Sequence, residues 1–96
     1  MRAKTELRRA IDYAKAHLPK NAAPISYPLS ELGQISVDSE PKMAVALLQE
    51  AFDIQSAHWE PGDVRLEDTR TALDEASRKL ASDAMGDQAS SDAVPR

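Results

Sequence analysis

The chain of 96 residues contains no cysteine and only three glycines. The absence of cysteine excludes disulfides and thiolate metal sites, which are the usual supports of a small secreted domain. The glycines are too few and too scattered to form a loop that cradles a phosphate group. The sequence therefore favours a protein of a reducing cytoplasm, and it predicts no metal site and no cofactor.

Long hydrophobic runs are also missing. The longest apolar run, Met43–Leu48, is far too short to cross a bilayer, and no apolar segment follows the basic residues near the N-terminus as in a secretory signal. Aromatic residues make up 4% of the chain, and many of its hydrophobic residues are alanine. We expect a soluble cytoplasmic protein with a thin core, to which a partner or a second copy of the chain, forming a homodimer, could add buried surface.

Charge is unevenly distributed along the chain. Residues 1–20 carry a net charge of +4, whereas residues 21–96 carry −8. Affinity for phosphate comes mainly from clustered lysine and arginine, so the acidic majority argues against a general nucleic-acid-binding protein. The basic segment could contact an acidic partner, or it could pack beside the acidic helices of its own fold with its charges at the rim.

The first segment with helical periodicity covers residues 3–18. Its apolar residues recur at spacings of four, three and four, which places them in one stripe of a helix. These residues are Leu7, Ile11, Ala14 and Leu18. Pro19 disfavours helical geometry in the residue before it, so we expect the helix to end there.

The second helical segment covers residues 40–59. We expect it to begin near Asp38 or Ser39, whose side-chain oxygens can accept hydrogen bonds from free backbone amides. Nine of the twelve residues from Met43 to Ile54 are apolar, which is too many for a helix covered on one side only. This segment is predicted to be the central helix, covered by its neighbours on two sides.

The third helical segment covers residues 64–85, with Asp63 as its N-cap and Gly86 as its stop. Three leucines repeat every seven residues, which predicts a helix at the edge of a bundle, with a dimeric coiled coil as the alternative. They are Leu66, Leu73 and Leu80. The remaining residues, 87–96, carry too little apolar surface to offset the entropy of ordering them. We therefore expect a single helical domain at residues 1–86 and a disordered tail.

The connection between the first two helices, residues 19–38, contains three prolines and one glycine. Its apolar residues alternate with polar ones or proline, which is the period of an extended chain. They are Ile25, Tyr27, Leu29, Ile35 and Val37. The predicted fold is thus an all-α three-helix bundle with a long extended connection, in which residues 25–37 can form a short β-hairpin lying on the helices.

One alternative for residues 30–48 is a helix-turn-helix that reads DNA. With Ser36 at the turn, Leu32 stands where the motif asks for a small residue, and Glu31 and Lys42 stand where it asks for buried apolar ones. Base-edge reading also calls for several long polar side chains along the exposed face of the second helix. We therefore keep a DNA-binding transcriptional regulator as the second hypothesis, after a protein-binding function.

The two histidines are the only side chains whose unperturbed titration lies near neutral pH. His58 lies near Glu60 and Asp63, which could together bind a metal, but their spacing matches no usual histidine–carboxylate signature. Neither His17 nor His58 has a local motif that supplies an oriented partner and a pocket. The sequence therefore predicts no catalytic residues and no enzyme, with a metal-dependent hydrolase as a third hypothesis.

The sequence indicates a function carried by the surface of the protein rather than by a catalytic pocket. The sequence predicts a small non-enzymatic regulator, adaptor or inhibitor that binds a larger cytoplasmic protein through complementary charge. Trp59 is the single tryptophan, and tryptophan serves both small cores and binding hot spots. The predicted partner-binding residues are Arg2, Arg8, Arg9, Trp59, Glu67, Asp74 and Glu75.

Overall fold

The computed structural model describes the backbone of residues 2–93 and the side chains of residues 3–83. This part of the chain is helical and contains no strand. Its helices are α1 (Arg2–His17), α2 (Ser26–Ile35), α3 (Pro41–His58) and α4 (Val64–Ala93), with a single 3₁₀ turn at Ala23–Ile25 before α2. The prediction of an all-α fold is confirmed. The number of helices was wrong, because α2 lies where an extended connection was expected.

Helix α2 replaces the predicted β-hairpin of residues 25–37. The apolar residues of this segment fit a helical period as well as an alternating one. Ile25, Leu29 and Leu32, spaced by four and three, are buried, whereas Tyr27 and Ile35 of the alternating set are exposed. Burial of one helical stripe against the rest of the fold therefore decided between the two periods.

The prolines of this segment are compatible with helix because of where they fall. Pro24 lies at the start of the 3₁₀ turn. Pro28 lies in the first turn of α2, where backbone amides have no partner within the helix. Neither proline therefore removes a hydrogen bond that the helix needs.

Of the two predicted N-caps, one for α3 and one for α4, the structure contains only the second. Helix α3 begins at Pro41 after Glu40, with no side-chain hydrogen bond to its first turn, so capping by Asp38 or Ser39 was a wrong prediction. The predicted N-cap of α4 is present, because Asp63 Oδ1 accepts a hydrogen bond of 2.9 Å from the backbone amide of Arg65.

Helix α4 continues to Ala93, past the stop predicted at Gly86. A single glycine lowers helix stability by only about 1 kcal/mol, which does not by itself end a helix. The side chains of residues 84–93 and the whole of residues 94–96 lie outside the described part of the chain, so the disordered tail at 87–96 stays a prediction. Among the described residues, no helix combines the length and apolar character needed to span a membrane.

Helix α3 lies at the centre and packs against α2 on one side and α4 on the other, as its apolar density predicts. Its side chains enter two apolar clusters. The first joins α1, α2 and α3 and consists of Ile11, Ile25, Leu29, Leu32, Ala51 and Ile54. The second joins α3 and α4 and consists of Ala44, Leu48, Ala72 and Ala76. Because α3 contributes to both clusters, it holds the other helices together.

Helix α2 approaches α3 closely at Gly33. A Cβ atom placed on Gly33 would lie 2.6 Å from Leu48 Cγ and 2.9 Å from Leu48 Cδ2. Real Cβ atoms do not come this close to a neighbour, and Leu48 is fully buried, so it has little room to move. The two helices can therefore pack at this distance only because residue 33 has no side chain.

We expect Gly33→Ala to destabilise the fold by about 1–3 kcal/mol, because overpacking outweighs the better helix propensity of alanine. Leu48→Ala alone should cost about 2–5 kcal/mol through the cavity it leaves. Urea unfolding followed by circular dichroism measures both. The double variant should lose less stability than the two single losses add up to, because Leu48→Ala removes the atoms that the new Cβ would meet. Strictly additive losses would contradict the close approach of the two helices.

Candidate functional site

Four side chains meet where α3 turns into α4, and we call them the corner cluster: Tyr27, Trp59, Asp63 and Arg65. The Arg65 guanidinium lies over the Trp59 ring, 3.6 Å from its centroid. Its Nε and Nη2 each donate to a carboxylate oxygen of Asp63 at 3.0 Å, and its Nη1 donates to the Tyr27 hydroxyl at 3.3 Å. The Tyr27 and Trp59 rings lie 5.9 Å apart in a tilted arrangement.

Local sequence produces this corner. Gly62 has a φ of 95°, which lets the chain reverse after α3 without strain. Asp63 then caps α4 while it holds Arg65 through two parallel hydrogen bonds. The Arg65 guanidinium keeps the pKa of Asp63 below its ordinary value, chiefly through the side-chain hydrogen bond. The corner cluster therefore orders an aromatic and a cationic side chain on the surface.

A groove runs between α2 and α4 because both helices pack mainly on α3 and contact each other little. It consists of two adjoining cavities of about 320 and 360 Å³, which share Gln34 and Asp68. We call it the α2–α4 groove and describe it by seven of its lining residues: Tyr27, Glu31, Gln34, Val37, Arg65, Asp68 and Glu75.

Hydroxyl groups of α2 and α4 are hydrogen-bonded to each other across the α2–α4 groove. Thr69 Oγ1 donates to the Arg65 carbonyl oxygen at 3.0 Å, so its own proton is used. Ser30 Oγ therefore donates to Thr69 Oγ1 at 3.3 Å, and it accepts from Gln34 Nε2 at 3.0 Å. This chain of hydrogen bonds satisfies the hydroxyls, which are thus not free to bind a ligand.

Gln55 of α3 also lines the groove, although only 2% of its surface is exposed. Its Nε2 donates to Ser26 Oγ at 3.4 Å, whereas its Oε1 has no hydrogen-bond partner in the described part of the protein. A buried acceptor without a donor costs about 1–3 kcal/mol. Such an atom is uncommon in a folded protein, and here it belongs to a residue that lines the groove.

The groove is acidic. None of the ion pairs among the described residues involves Glu31, Asp68 or Glu75. Arg65, the basic residue that lines the groove, is already paired with Asp63. Three carboxylates are thus left without a cationic partner along one groove, which favours a positively charged occupant.

The basic residues of α1 that were predicted to bind a partner are partly in contact with the rest of the protein. Arg8 and Arg9 are exposed, and Arg8 Nη2 lies 3.2 Å from Met43 Sδ. The Arg2 side chain lies outside the described residues. Other basic groups of α1 pair with acidic groups near or in α3, at 3.3 Å for Lys4 with Glu40 and 2.9 Å for Lys15 with Glu50.

The predicted acidic residues of α4 do not come together at one site. Glu67 is half-buried and lies 3.6 Å from Arg70, and Asp74 is exposed on the same face of α4 as Glu67. Glu75 instead lines the α2–α4 groove together with Asp68. Trp59 is half-buried beneath Arg65, so it belongs to both the fold and the surface.

Of the groove residues named above, only Glu75 was predicted as a contact, and the polar residues that were missed include Glu31, Gln34, Gln55 and Asp68. The seven-residue spacing of Asp68 and Glu75 on one helix was a visible signal, because it places both on one face. Glu31 and Gln34 carry no such signal until α2 is known to be a helix. Gln55 looks like an ordinary polar position of α3.

Both histidines hold backbone in place. His17 Nδ1 lies 2.9 Å from the Tyr13 carbonyl oxygen, and its ring stacks on Tyr13. His58 Nε2 lies 2.8 Å from the carbonyl oxygen of Asn21, which has a φ of 62°. Within the described residues no group of three histidine or carboxylate side chains is placed to hold a metal, so His58, Glu60 and Asp63 are not brought together as ligands.

No protein-family model, curated protein or solved structure matches this chain. A functional proposal must therefore come from the geometry and charge of the molecule itself. The corner cluster and the α2–α4 groove adjoin each other, since Tyr27 and Arg65 belong to both. Together they form the candidate functional site.

The corner cluster predicts a stability difference that depends on pH. Because Arg65 lowers the pKa of Asp63 in the folded protein, the contribution of this carboxylate is present above the ordinary value of 3.8 and is lost as the pH falls through the lowered value. Asp63→Asn keeps an oxygen for the cap but removes the charge. The wild type should be more stable than this variant at neutral pH, and the difference should disappear in acid.

Urea unfolding at a series of pH values, followed by the fluorescence of Trp59, measures this difference directly. Asp83→Asn is a matched control, because Asp83 is exposed on α4 and takes no part in the corner cluster. A gap between the wild type and Asp63→Asn that stays constant across the acidic range would contradict the account of the ion pair.

Proposed function

We propose that this chain is a small non-enzymatic regulator, adaptor or inhibitor that binds a larger cytoplasmic protein. The observation that carries the proposal is the α2–α4 groove, whose three carboxylates lack a cationic partner within the described fold. Unpaired charge lined up along a concave surface is suited to recognition, because it steers a partner of opposite charge and rejects others.

The corner cluster supplies a complementary feature. Tyr27, Trp59 and Arg65 are residue types that dominate binding hot spots, and 47% of Tyr27 is exposed. Their contacts with one another and with Asp63 hold them in place before any partner arrives. Ordered side chains lose less conformational entropy on binding, so this corner is suited to anchor a partner.

The basic face of α1 is a second proposed contact. Arg8 and Arg9 are exposed, and they lie within residues 1–20, which carry a net charge of +4. Arg2, Glu67 and Asp74 remain proposed contacts of the same kind. Because two parts of this small protein carry opposite charge, charge complementarity would determine both which partner binds and in which orientation it binds.

Affinity isolation from the native host, with the full chain as bait and mass spectrometry as readout, tests this function. We expect a protein that, once purified, binds the purified chain directly with a Kd below about 10 μM. Arg9→Ala should weaken this binding without changing the melting temperature, because the Arg9 side chain is exposed. Recovery of no protein that binds the purified chain directly would refute the proposal.

A DNA-binding regulator is the second candidate function. One observation favours it: within residues 30–48, the predicted reader, α2 and α3 follow each other with a short turn between them, and Lys42 of α3 is exposed. It ranks second because Gln49 Nε2 already donates to Asp53 Oδ1 at 2.9 Å, which places a carboxylate on the same edge. A negative charge there repels phosphate.

A gel-shift titration with duplex DNA in low salt separates the two functions. If the chain reads DNA, it should retard the duplex, the effect should fade with added salt, and Lys42→Ala should weaken it. We expect no retardation at tens of micromolar protein. Retardation that is lost in Lys42→Ala and kept in Lys79→Ala, an exposed lysine of α4, would make DNA binding the preferred function.

A further inference from the structure

The geometry points to a particular occupant of the α2–α4 groove: a helical segment of the partner protein that inserts lysine or arginine side chains. This inference rests on the proposed protein-binding function and adds the chemistry of the partner. It is carried by two independent observations, the unpaired carboxylates of the groove and the unpartnered oxygen of Gln55.

The charge of the groove determines which sign of charge its occupant carries. Glu31 and Asp68 line the cavity of about 320 Å³ beside Gln55, and Glu75 lines the adjoining cavity of about 360 Å³. A phosphate or carboxylate ligand would face these three negative charges with Arg65 already bound to Asp63. The groove therefore favours a cation.

Gln55 selects the hydrogen-bonding character of the occupant. Its Nε2 is used by Ser26, so the atom that lacks a partner is the acceptor Oε1. Lysine and arginine side chains are donors only, with three and five N–H groups respectively. The Gln55 oxygen is closed to solvent, so a side chain would reach it only by displacing the lining of the cavity. A lysine or arginine that did so could donate to this oxygen and compensate the charge of the carboxylates with the same group, whereas a neutral donor would leave that charge uncompensated.

The spacing of the carboxylates along α4 sets the spacing of the cations. Asp68 and Glu75 are seven residues apart, which is about 10 Å along a helix. Two basic residues seven apart on a partner helix have the same separation. Ser30 and Thr69 bond to each other across the groove, so a third helix would lie along its open side, in contact with both helical walls by ordinary ridge-and-groove packing. Tyr27 and Val37 would be apolar contacts near its ends.

Titration of the isotope-labelled full chain with a defined peptide, followed by amide chemical shifts, tests the inference. The probe is an alanine-based helical peptide of about sixteen residues with two arginines seven apart, and the control peptide carries glutamines in their place. We expect saturable shifts at residues 31, 34, 68 and 75 with the arginine probe and none with the glutamine peptide. Shifts confined to α1, or no saturable shifts, would overturn the inference.

A charge-matched pair of variants locates the binding. In the groove variant, three carboxylates that line the groove are neutralised: Glu31→Gln, Asp68→Asn and Glu75→Gln. In the control variant, three exposed carboxylates away from the groove are neutralised: Glu6→Gln, Asp12→Asn and Asp83→Asn. The groove variant should bind the arginine probe at least tenfold more weakly than wild type. The control variant has the same net charge as the groove variant, but its neutralised residues lie away from the groove, so its affinity should stay within about twofold of wild type. Equal weakening in both would mean that net charge alone attracts the probe, which contradicts a built site.

Gln55→Met separates binding from folding. Methionine has nearly the length of glutamine but no unpartnered oxygen, so the variant should be at least as stable to urea as wild type. It should nevertheless bind the arginine probe about fivefold or more weakly. Unchanged affinity would mean that the Gln55 oxygen takes no part in recognition and would overturn that element of the inference.

The native partner distinguishes failure of this inference from failure of the proposed function. A partner that binds the groove variant as tightly as wild type would leave the protein-binding function standing and refute the groove as its site. No directly binding protein at all would refute the function itself. Sedimentation provides one more outcome: self-association of wild type that is lost in the groove variant would identify the occupant as a second copy of this chain and overturn the separate partner.

Discussion

Burial of α3 on two sides is the constraint on which the rest of the structure depends. Ala51 and Ile54 of this helix complete one apolar cluster, and Ala44 and Leu48 complete the other. A chain of this size buries too little surface for each helix pair to have a core of its own, so one shared helix must serve both. The close approach of α2 at Gly33 follows from the same need for dense packing around Leu48.

The candidate site is a consequence of this arrangement. Two helices that pack on a third need not touch each other along their length, and α2 and α4 leave a groove between them. The hydrogen bond between Ser30 and Thr69 joins the two helices that form the walls of the groove. Three carboxylates of the groove have no ion pair among the described residues: Glu31, Asp68 and Glu75. The molecule thus combines an apolar interior with unbalanced charge along a concave surface, and the proposed protein-binding function rests on that charge.

Sequence patterns predicted the elements that have one unambiguous period. The apolar stripe of α1, the apolar density of α3 and the cap at Asp63 each had a single physical interpretation. Helix α2 was missed because its few apolar residues fit periods of both 2 and 3.6, and its prolines suggested a loop. The same miss hid Glu31 as a site residue, since its position relative to Asp68 depends on α2 being a helix.

By itself, the sequence determined an all-α fold, the position of three helices and the separation of a basic N-terminal segment from an acidic remainder, because these depend on local periodicity and composition. Only the tertiary structure decided that Ile25, Leu29 and Leu32 form a helical stripe, that Glu75 lies in a groove while Asp74 does not, and that the Gln55 oxygen is left without a donor. These outcomes depend on which residues from distant parts of the chain share the same space. No local pattern encodes that information.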